Sequence, residues 1–145
     1  MTLTVSDIMT TDLVKLTKQA TLQDAHNITR ERGIRHLPVV DQDSGKLLAI
    51  VTQKNMIAKV VSTLALYGGE ALEEQEGRTD IMEVAVTDYE TVDKNQPLTD
   101  VAPFFLQNKH GCLPVVDDGI RLVGMITSSD FVKLSVQLLE ERELF

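Results

Sequence analysis

Leu37-Pro38-Val39-Val40-Asp41 recurs unchanged as Leu113-Pro114-Val115-Val116-Asp117, 76 residues further along the chain. The same offset joins Asp12 to Asp88, Lys18 to Lys94, Leu22 to Leu98 and Asp24 to Asp100. Upstream, Asp7-Ile8-Met9 matches Asp80-Ile81-Met82 at an offset of 73, so the second copy holds three extra residues between Met82 and Asp88. Downstream, Ala49-Ile50-Val51-Thr52 matches Gly124-Met125-Ile126-Thr127 at an offset of 75. One five-residue identity can arise by chance. An ordered series of matched blocks, with small indels between them, is a duplication.

Each copy has the same rhythm. Val14 to Thr17, and the neighbourhood of Thr91 and Val92, read as a short strand. Thr21 then precedes Leu22, Ala25, Ile28 and Thr29 at helical spacing, and Gly33 is placed to end that helix. In the second copy Pro97 suits a first turn ahead of Leu98, Val101, Phe104 and Phe105, whereas Pro103 predicts a kink. A hairpin follows, Leu37 to Val40 and Leu47 to Val51, with Asp41 starting a turn through Asp43, Ser44 and Gly45. Its counterpart is Leu113 to Val116 and Leu122 to Ile126, turning at Asp117-Asp118-Gly119. A helix closes each copy, with Met56, Ile57, Val60, Val61 and Leu64 on one face of the first. Phe131, Leu134, Ser135 and Leu138 line the second. The expected organisation is repeat 1 over 1–66, an acidic connection over 67–78 carrying Glu70, Glu73, Glu74 and Glu76, and repeat 2 over 79–145. Such an acidic segment reads as a solvated helix or linker. A unit of roughly 55 residues has little core of its own, so the two should pack face to face and leave two related clefts.

Composition narrows the function. The 145 residues carry 14 Lys+Arg against 22 Asp+Glu, a formal charge of −8, and 43% are hydrophobic. The chain lacks the basic surplus of a general nucleic-acid or anionic-membrane binder. Its single cysteine, Cys112, forms no internal disulfide and no thiolate zinc site by itself. His26, His36 and His110 are scattered, so no metal site is expected. Lys15 is the first basic residue, and the longest uncharged stretch, between Lys59 and Glu70, is ten residues. Neither a secretory leader nor membrane insertion is expected, and the expected location is cytoplasmic. No Ser/His/Asp order and no phosphate-cradling glycine loop is present. Met9, Met56 and Met82 read as core, and Cys112, beside an apolar strand, as a small buried hydrophobe.

The strongest local signal is Gly124-Met125-Ile126-Thr127-Ser128-Ser129-Asp130. A buried strand ends at Thr127 and a helix begins at once, which gathers a hydroxyl, free backbone N–H groups and a carboxylate in one turn. The helix start and the Thr127 or Ser128 hydroxyl can receive a phosphate. The Asp130 carboxylate, an acceptor-only group, suits a pair of adjacent ribose hydroxyls. Thr127-x-x-Asp130 also reads as a helix-capping pair, and the two roles are compatible. The first copy has Thr52-Gln53-Lys54-Asn55, where Asn55 keeps an acceptor oxygen but loses the charge. It also has Ala49 where the second copy has Gly124.

These features together resemble tandem CBS domains, the pair called a Bateman module, over Ser6 to Val61 and Thr79 to Leu138. The Asp-Ile-Met openings, the twice-used Leu-Pro-Val-Val-Asp strand and the hydrophobic-Thr-x-x-Asp/Asn corner carry the resemblance. It implies an α+β fold of two β-α-β-β-α repeats related by a pseudo-two-fold axis in one compact module, here as a stand-alone pair. It also implies a non-catalytic regulatory module that binds an adenine nucleotide (AMP, ADP or ATP), or S-adenosylmethionine, between the repeats. A homodimer and a regulated partner protein are the implied partners, and nucleic acid is not. One site would use Thr127, Ser128 and Asp130 with His110, Gly111, Cys112, Leu113 and Pro114, plus Val84 and Val86. The other would use Thr52, Gln53 and Asn55 with Ile34, Arg35, His36, Leu37 and Pro38, plus Thr11 and Val14. Asn55 and Ala49 depart from the pattern, which ranks the Asp130 site first. The acidic field favours adenosine or AMP over ATP unless Arg35, Lys54, Lys109, Arg121 or Lys133 reaches the phosphates. The alternative is a ligand-independent dimerisation scaffold with vestigial clefts.

Overall fold

β1 (His36–Val40) and β2 (Leu47–Thr52) pair antiparallel, as do β4 (Cys112–Asp117) and β5 (Arg121–Thr127). Both hairpins shift register at the same repeat position, Val39/Val40 and Val115/Val116. Their turns differ. In the first, Asp41 accepts the Ser44 N–H at 2.9 Å and the Ser44 hydroxyl at 2.7 Å. The second is tighter, with Asp118 at φ 54° and Gly119 at φ 76°, backbone that aspartate tolerates better than most residues. This is a computed structural model, and it describes residues 3–108 and 111–143.

The helices start and stop where local chemistry dictates. Short α1 (Val5–Ile8) and longer α2 (Leu22–Arg32) each open with a Thr/Asp capping box, Thr4 with Asp7 and Thr21 with Asp24. Gly33, at φ 65°, ends α2 in the left-handed region and returns its N–H to the Thr29 carbonyl. α3 (Gln53–Tyr67) follows β2 without a loop, and α4 (Leu72–Arg78) occupies the acidic connection. α5 (Leu98–Gln107) runs through Pro103 to its end, so the proline does not stop it. Pro103 and Thr99 lie on the exposed side, where water can take the bond the proline forgoes. α6 (Ser128–Glu143) starts directly from β5.

The chain forms two compact units, Val14–Tyr89 and Met1–Leu13 with Glu90–Phe145. In the first, Leu16 bridges Val39 in parallel on one edge of the hairpin, and Val86 bridges Ile50 antiparallel on the other. In the second, β3 (Val92–Asp93) runs parallel to β4, and Thr10 bridges Met125 antiparallel beyond β5. The two four-part arrangements correspond strand for strand. In each, the outermost segment comes from the other repeat: residues around Val86 complete the sheet of repeat 1, and residues around Thr10 that of repeat 2. The units are bodies of contacts and so are cut differently from the repeats.

Each unit has its own core. Leu22, Ala25, Leu37, Val39, Val51, Met56 and Ile81 form one, and Val5, Leu98, Val101, Leu113, Val115 and Ile126 the other. Burying a side chain of the Leu or Val class contributes about 1.5–3 kcal/mol. In the second core Phe105 sits edge-to-face with Phe104 and tilted against Phe131, with ring centroids 5.1 and 5.0 Å away. The acidic connection is not solvated throughout. Glu76 of α4 is buried, and its Oε1 lies 3.0 Å from His26 Nδ1 on α2.

Candidate functional site

The corner at the start of α6 is built by the abrupt strand-to-helix junction. Thr127 ends β5, and Asp130, three residues on, folds its carboxylate back over that junction. Asp130 Oδ2 accepts the Thr127 N–H at 2.9 Å and the Thr127 hydroxyl at 3.3 Å. Its other oxygen, Oδ1, accepts the Thr10 hydroxyl at 2.9 Å. The residue is only 4% exposed, so both oxygens work inside the protein. Capping and an acceptor aimed outside the helix therefore coexist in one carboxylate.

Cys112 stands opposite Thr127 across β4 and β5. Burial, and secondarily the charge of Asp130, push its thiol up to about 12. It stays protonated at neutral pH and has no nucleophilic character there. Leu113 and Pro114 continue β4 into the core. Gly111 packs so closely that an added Cβ would lie 2.8 Å from the Phe104 ring and 2.9 Å from the Asn108 carbonyl. His110 and Lys109 lie outside the described residues. Ser128 begins α6 and is half-buried.

Thr10, which sequence reasoning passed over, enters this corner from the opening segment. Its N–H and carbonyl both bond Met125, at 2.8 and 2.9 Å. Met9, the residue before it, fills the space left by the missing side chain of Gly124, where a Cβ would meet Met9 Sδ at 2.6 Å. Gly124 thus makes room for the opening segment.

The equivalent corner at the start of α3 has the same skeleton and different polarity. Thr52 accepts the Asn55 N–H at 3.1 Å and donates its hydroxyl to Asn55 Oδ1 at 2.7 Å. The Asn55 amide donates to the Val84 carbonyl at 3.4 Å. His36 stands opposite Thr52, and burial, then the Arg35 charge, lower its pKa below the ordinary 6.5. Gln53 is exposed and its N–H bonds the Arg35 carbonyl at 2.9 Å. Leu37 and Pro38 are fully buried, and Ile34 and Val14 pack on the core of this unit.

Val84, Val86 and Thr11 therefore lie in the opposite unit from the one expected from sequence, whereas Val14 lies with Thr52 and Asn55 as expected. Val84 and Val86 belong with Thr52 and Asn55, while Thr11, exposed beside Thr10, lies in the unit that holds Thr127 and Asp130. The physical reason is the edge-strand exchange: an opening segment extends the sheet of the other copy. A signal for it exists in the sequence. Gly124 faces Met9, whereas Ala49 and Ala85, at the corresponding positions, share one core. Small with large, and medium with medium, conserve volume.

The apolar faces expected on the closing helices are only partly covered. On α6, Phe131 and Leu134 pack on the core, whereas Leu138 is 50% exposed and the exposed surface extends to Val132, Val136 and Leu139, at 62%, 48% and 60%. Ile57, Val61 and Leu64, at an offset of 75, are 56%, 60% and 40% exposed on α3. Among the described residues there is no cluster of metal-binding side chains, and no helix is long and apolar enough to cross a membrane.

Two repeats with matched hairpins, exchanged opening segments and paired strand-to-helix corners define the class. The chain belongs to the CBS domain family, whose model matches residues 5–62 and 80–137. Vibrio cholerae AcuB, assigned provisionally to acetoin utilization, is 35% identical with a TM-score of 0.83, covering 100% of this chain and 98% of that one. CBSX2, an Arabidopsis thaliana CBS-pair protein solved in complex with AMP, is 26% identical with a TM-score of 0.75 over 93% and 97%. The CBS pair of MJ0100, solved with 5′-methylthioadenosine and S-adenosylmethionine, is 26% identical with a TM-score of 0.70 over 94% and 98%. The chain spans 46% and 24% of the length of two of the curated relatives it matches.

Proposed function

We propose that this protein is a regulatory module that binds an adenosine-type ligand at the Thr127–Asp130 corner and acts through a partner protein. The observation that carries the reading is the buried Asp130 carboxylate, whose Oδ1 is bonded by a hydroxyl from a different segment, Thr10, at 2.9 Å. An acceptor already satisfied by an aliphatic hydroxyl is chemically suited to a ribose hydroxyl. The N–H groups at the start of α6 suit the anionic end of a nucleotide. Adenosine is the part shared by the ligands of the AMP-bound and S-adenosylmethionine-bound relatives, which supports the same class here. The repeats 1–66 and 79–145, with the connection 67–78, are the inherited sequence units on this reading, and each unit of the fold draws on both. The Thr52–Asn55 corner offers an amide in place of a carboxylate and is the weaker site. Ligand shifts the population of a partner-bound form by its differential affinity for the two forms.

Calorimetric titration with AMP, ADP, ATP, 5′-methylthioadenosine and S-adenosylmethionine tests this. Binding of at least one, weakened about tenfold or more by Asp130→Asn, is expected. No heat with any of them at millimolar concentration sinks the reading.

The matched exposed stripes favour a second element, self-association. Ile57, Val61 and Leu64 on α3 and Val132, Val136 and Leu139 on α6 offer apolar surface at equivalent repeat positions. A homodimer formed through these faces makes either reading workable, the sensor or the ligand-independent scaffold. Light scattering on a Val61→Glu/Val136→Glu variant should show a monomer against a dimeric natural chain. A natural chain that is monomeric at all concentrations rules out this element.

A further inference from the structure

We propose that the Thr10 hydroxyl is an internal stand-in for one ligand hydroxyl, holding Asp130 until an adenosine-type ligand displaces it. The inference rests on the function proposed above. Of the two Asp130 oxygens, Oδ2 is committed to Thr127 and hence to the start of α6. Oδ1 has Thr10 as its partner. Asp130 is buried while Thr10 is exposed, so the hydroxyl that occupies Oδ1 belongs to a residue that reaches solvent. A ribose hydroxyl that bonds Oδ1 competes with it. Thr10 can give way without moving the chain, because its N–H and carbonyl are both fixed on Met125 and a rotation about χ1 is enough.

The other unit supplies an internal comparison. Val86 occupies the position of Thr10, with the same double backbone bond, to Ile50 at 2.9 and 2.8 Å. Valine has the shape of threonine and no hydroxyl. There the corner residue is Asn55, whose amide reaches the Val84 carbonyl instead. The hydroxyl thus accompanies the carboxylate, and its absence accompanies the amide. A general packing role for a β-branched residue at this edge explains the shape at both positions but not the chemistry at one. Thr10 therefore sets the affinity of the site, since a ligand must replace a hydrogen bond to a charged acceptor before it gains one.

Titration calorimetry on Thr10→Val with AMP and with 2′,3′-dideoxy-AMP tests the proposal. Removing the competitor should tighten AMP binding about tenfold, roughly 1.4 kcal/mol, and leave the dideoxy ligand unchanged. Thr10→Ser, which restores a hydroxyl, should return AMP affinity towards that of the natural chain. A Thr10→Val protein that binds AMP equally or more weakly overturns the stand-in role, as does an equal gain for the dideoxy ligand. On the natural chain, three-bond couplings to the Thr10 methyl should report a changed χ1 on AMP addition, and an unchanged rotamer overturns the proposal even if the variant does not fold. If the natural chain and Thr10→Val both fail to bind either ligand, the proposed function falls, and this inference with it.

Discussion

Adding one methyl group at Gly124 probes the exchanged opening segment directly. A Cβ there would lie 2.6 Å from Met9 Sδ, 3.0 Å from Met9 Cγ and 3.1 Å from the Thr10 carbonyl oxygen. Carbon contacts are optimal at about 3.5–4.0 Å, so the Met9 side chain must retreat by about 1 Å. Retreat does not relieve the third contact, because the Thr10 carbonyl is backbone and bonded to the Met125 N–H at 2.9 Å. Overpacking of this kind costs about 1–3 kcal/mol. Replacing glycine recovers about 0.4–1 kcal/mol through the unfolded chain. Gly124→Ala should therefore destabilise by about 1–2 kcal/mol, which lowers a urea midpoint by about 0.5–1 M for a slope near 2 kcal/mol/M. Met9→Ala in the same background removes the sulfur and Cγ, so the double variant should be more stable than the sum of the singles by about 1 kcal/mol. At the equivalent position the sign reverses, and Ala49→Gly should destabilise, because fully buried Ala49 fills its own space. Urea unfolding followed by far-UV circular dichroism reads these four variants against the natural chain. A Gly124→Ala protein as stable as the natural one, or additive singles, would refute the seating of Met9 against Gly124.

Three further outcomes follow from the same geometry. Asn55→Asp places a carboxylate oxygen beside the Val84 carbonyl that now accepts the amide at 3.4 Å, so it should destabilise by about 1–2 kcal/mol in urea unfolding rather than create a second strong site; an equally stable variant contradicts that hydrogen bond. Burial and the Arg35 charge lower the His36 pKa below 6.5, so the unfolded chain takes up the proton first as pH falls. The natural chain should then lose stability relative to His36→Gln from pH 6.5 downward, and parallel stability curves for the two count against a buried neutral ring. With the Cys112 thiol pushed up to about 12, its alkylation by iodoacetamide at pH 8 should run about a thousandfold slower than that of a free thiol; a rate within tenfold of free thiol contradicts this burial.

The duplicated hairpins, the Thr21 and Gly33 boundaries of α2 and the strand-to-helix corners were legible because they depend on local rules: alternation, capping and left-handed backbone. The acidic connection was legible only as a solvated helix or linker, and neither the helix α4 nor the burial of Glu76 was settled by composition, which does not reveal that His26 stands within reach. The destination of the opening segments was the main loss. The three extra residues between Met82 and Asp88 leave the partner of Thr10 open in the sequence, and it is the matching backbone bridges that make Val86 its equivalent. Moreover, a segment that pairs with its own copy and one that pairs with the other leave the same pattern of residues. Only the matched differences separate the two cases, Met9 with Gly124 and Thr10 with Asp130, and their meaning emerges once pairs across the chain are compared. Which part of each closing-helix stripe stays exposed, Ile57, Val61 and Leu64 on α3 and Leu138 with Val132, Val136 and Leu139 on α6, was not legible for a related reason. Helical spacing defines a broad apolar arc, and which part of it is covered depends on neighbours.

The exchanged opening segments also impose an order on biosynthesis. Residues around Thr10 leave the ribosome well before Met125, with which they pair, so their place on the sheet does not yet exist when they emerge. At a synthesis rate of about 5–20 residues per second, the segment waits on the order of ten seconds for its partner. Meanwhile Val14–Tyr89 holds every strand of its own unit and can close during translation. The Thr10 segment is thus seated later than the hairpin of Val14–Tyr89 that follows it in the chain, and a nascent chain cut short before β5 leaves Thr10 without its bonds to Met125.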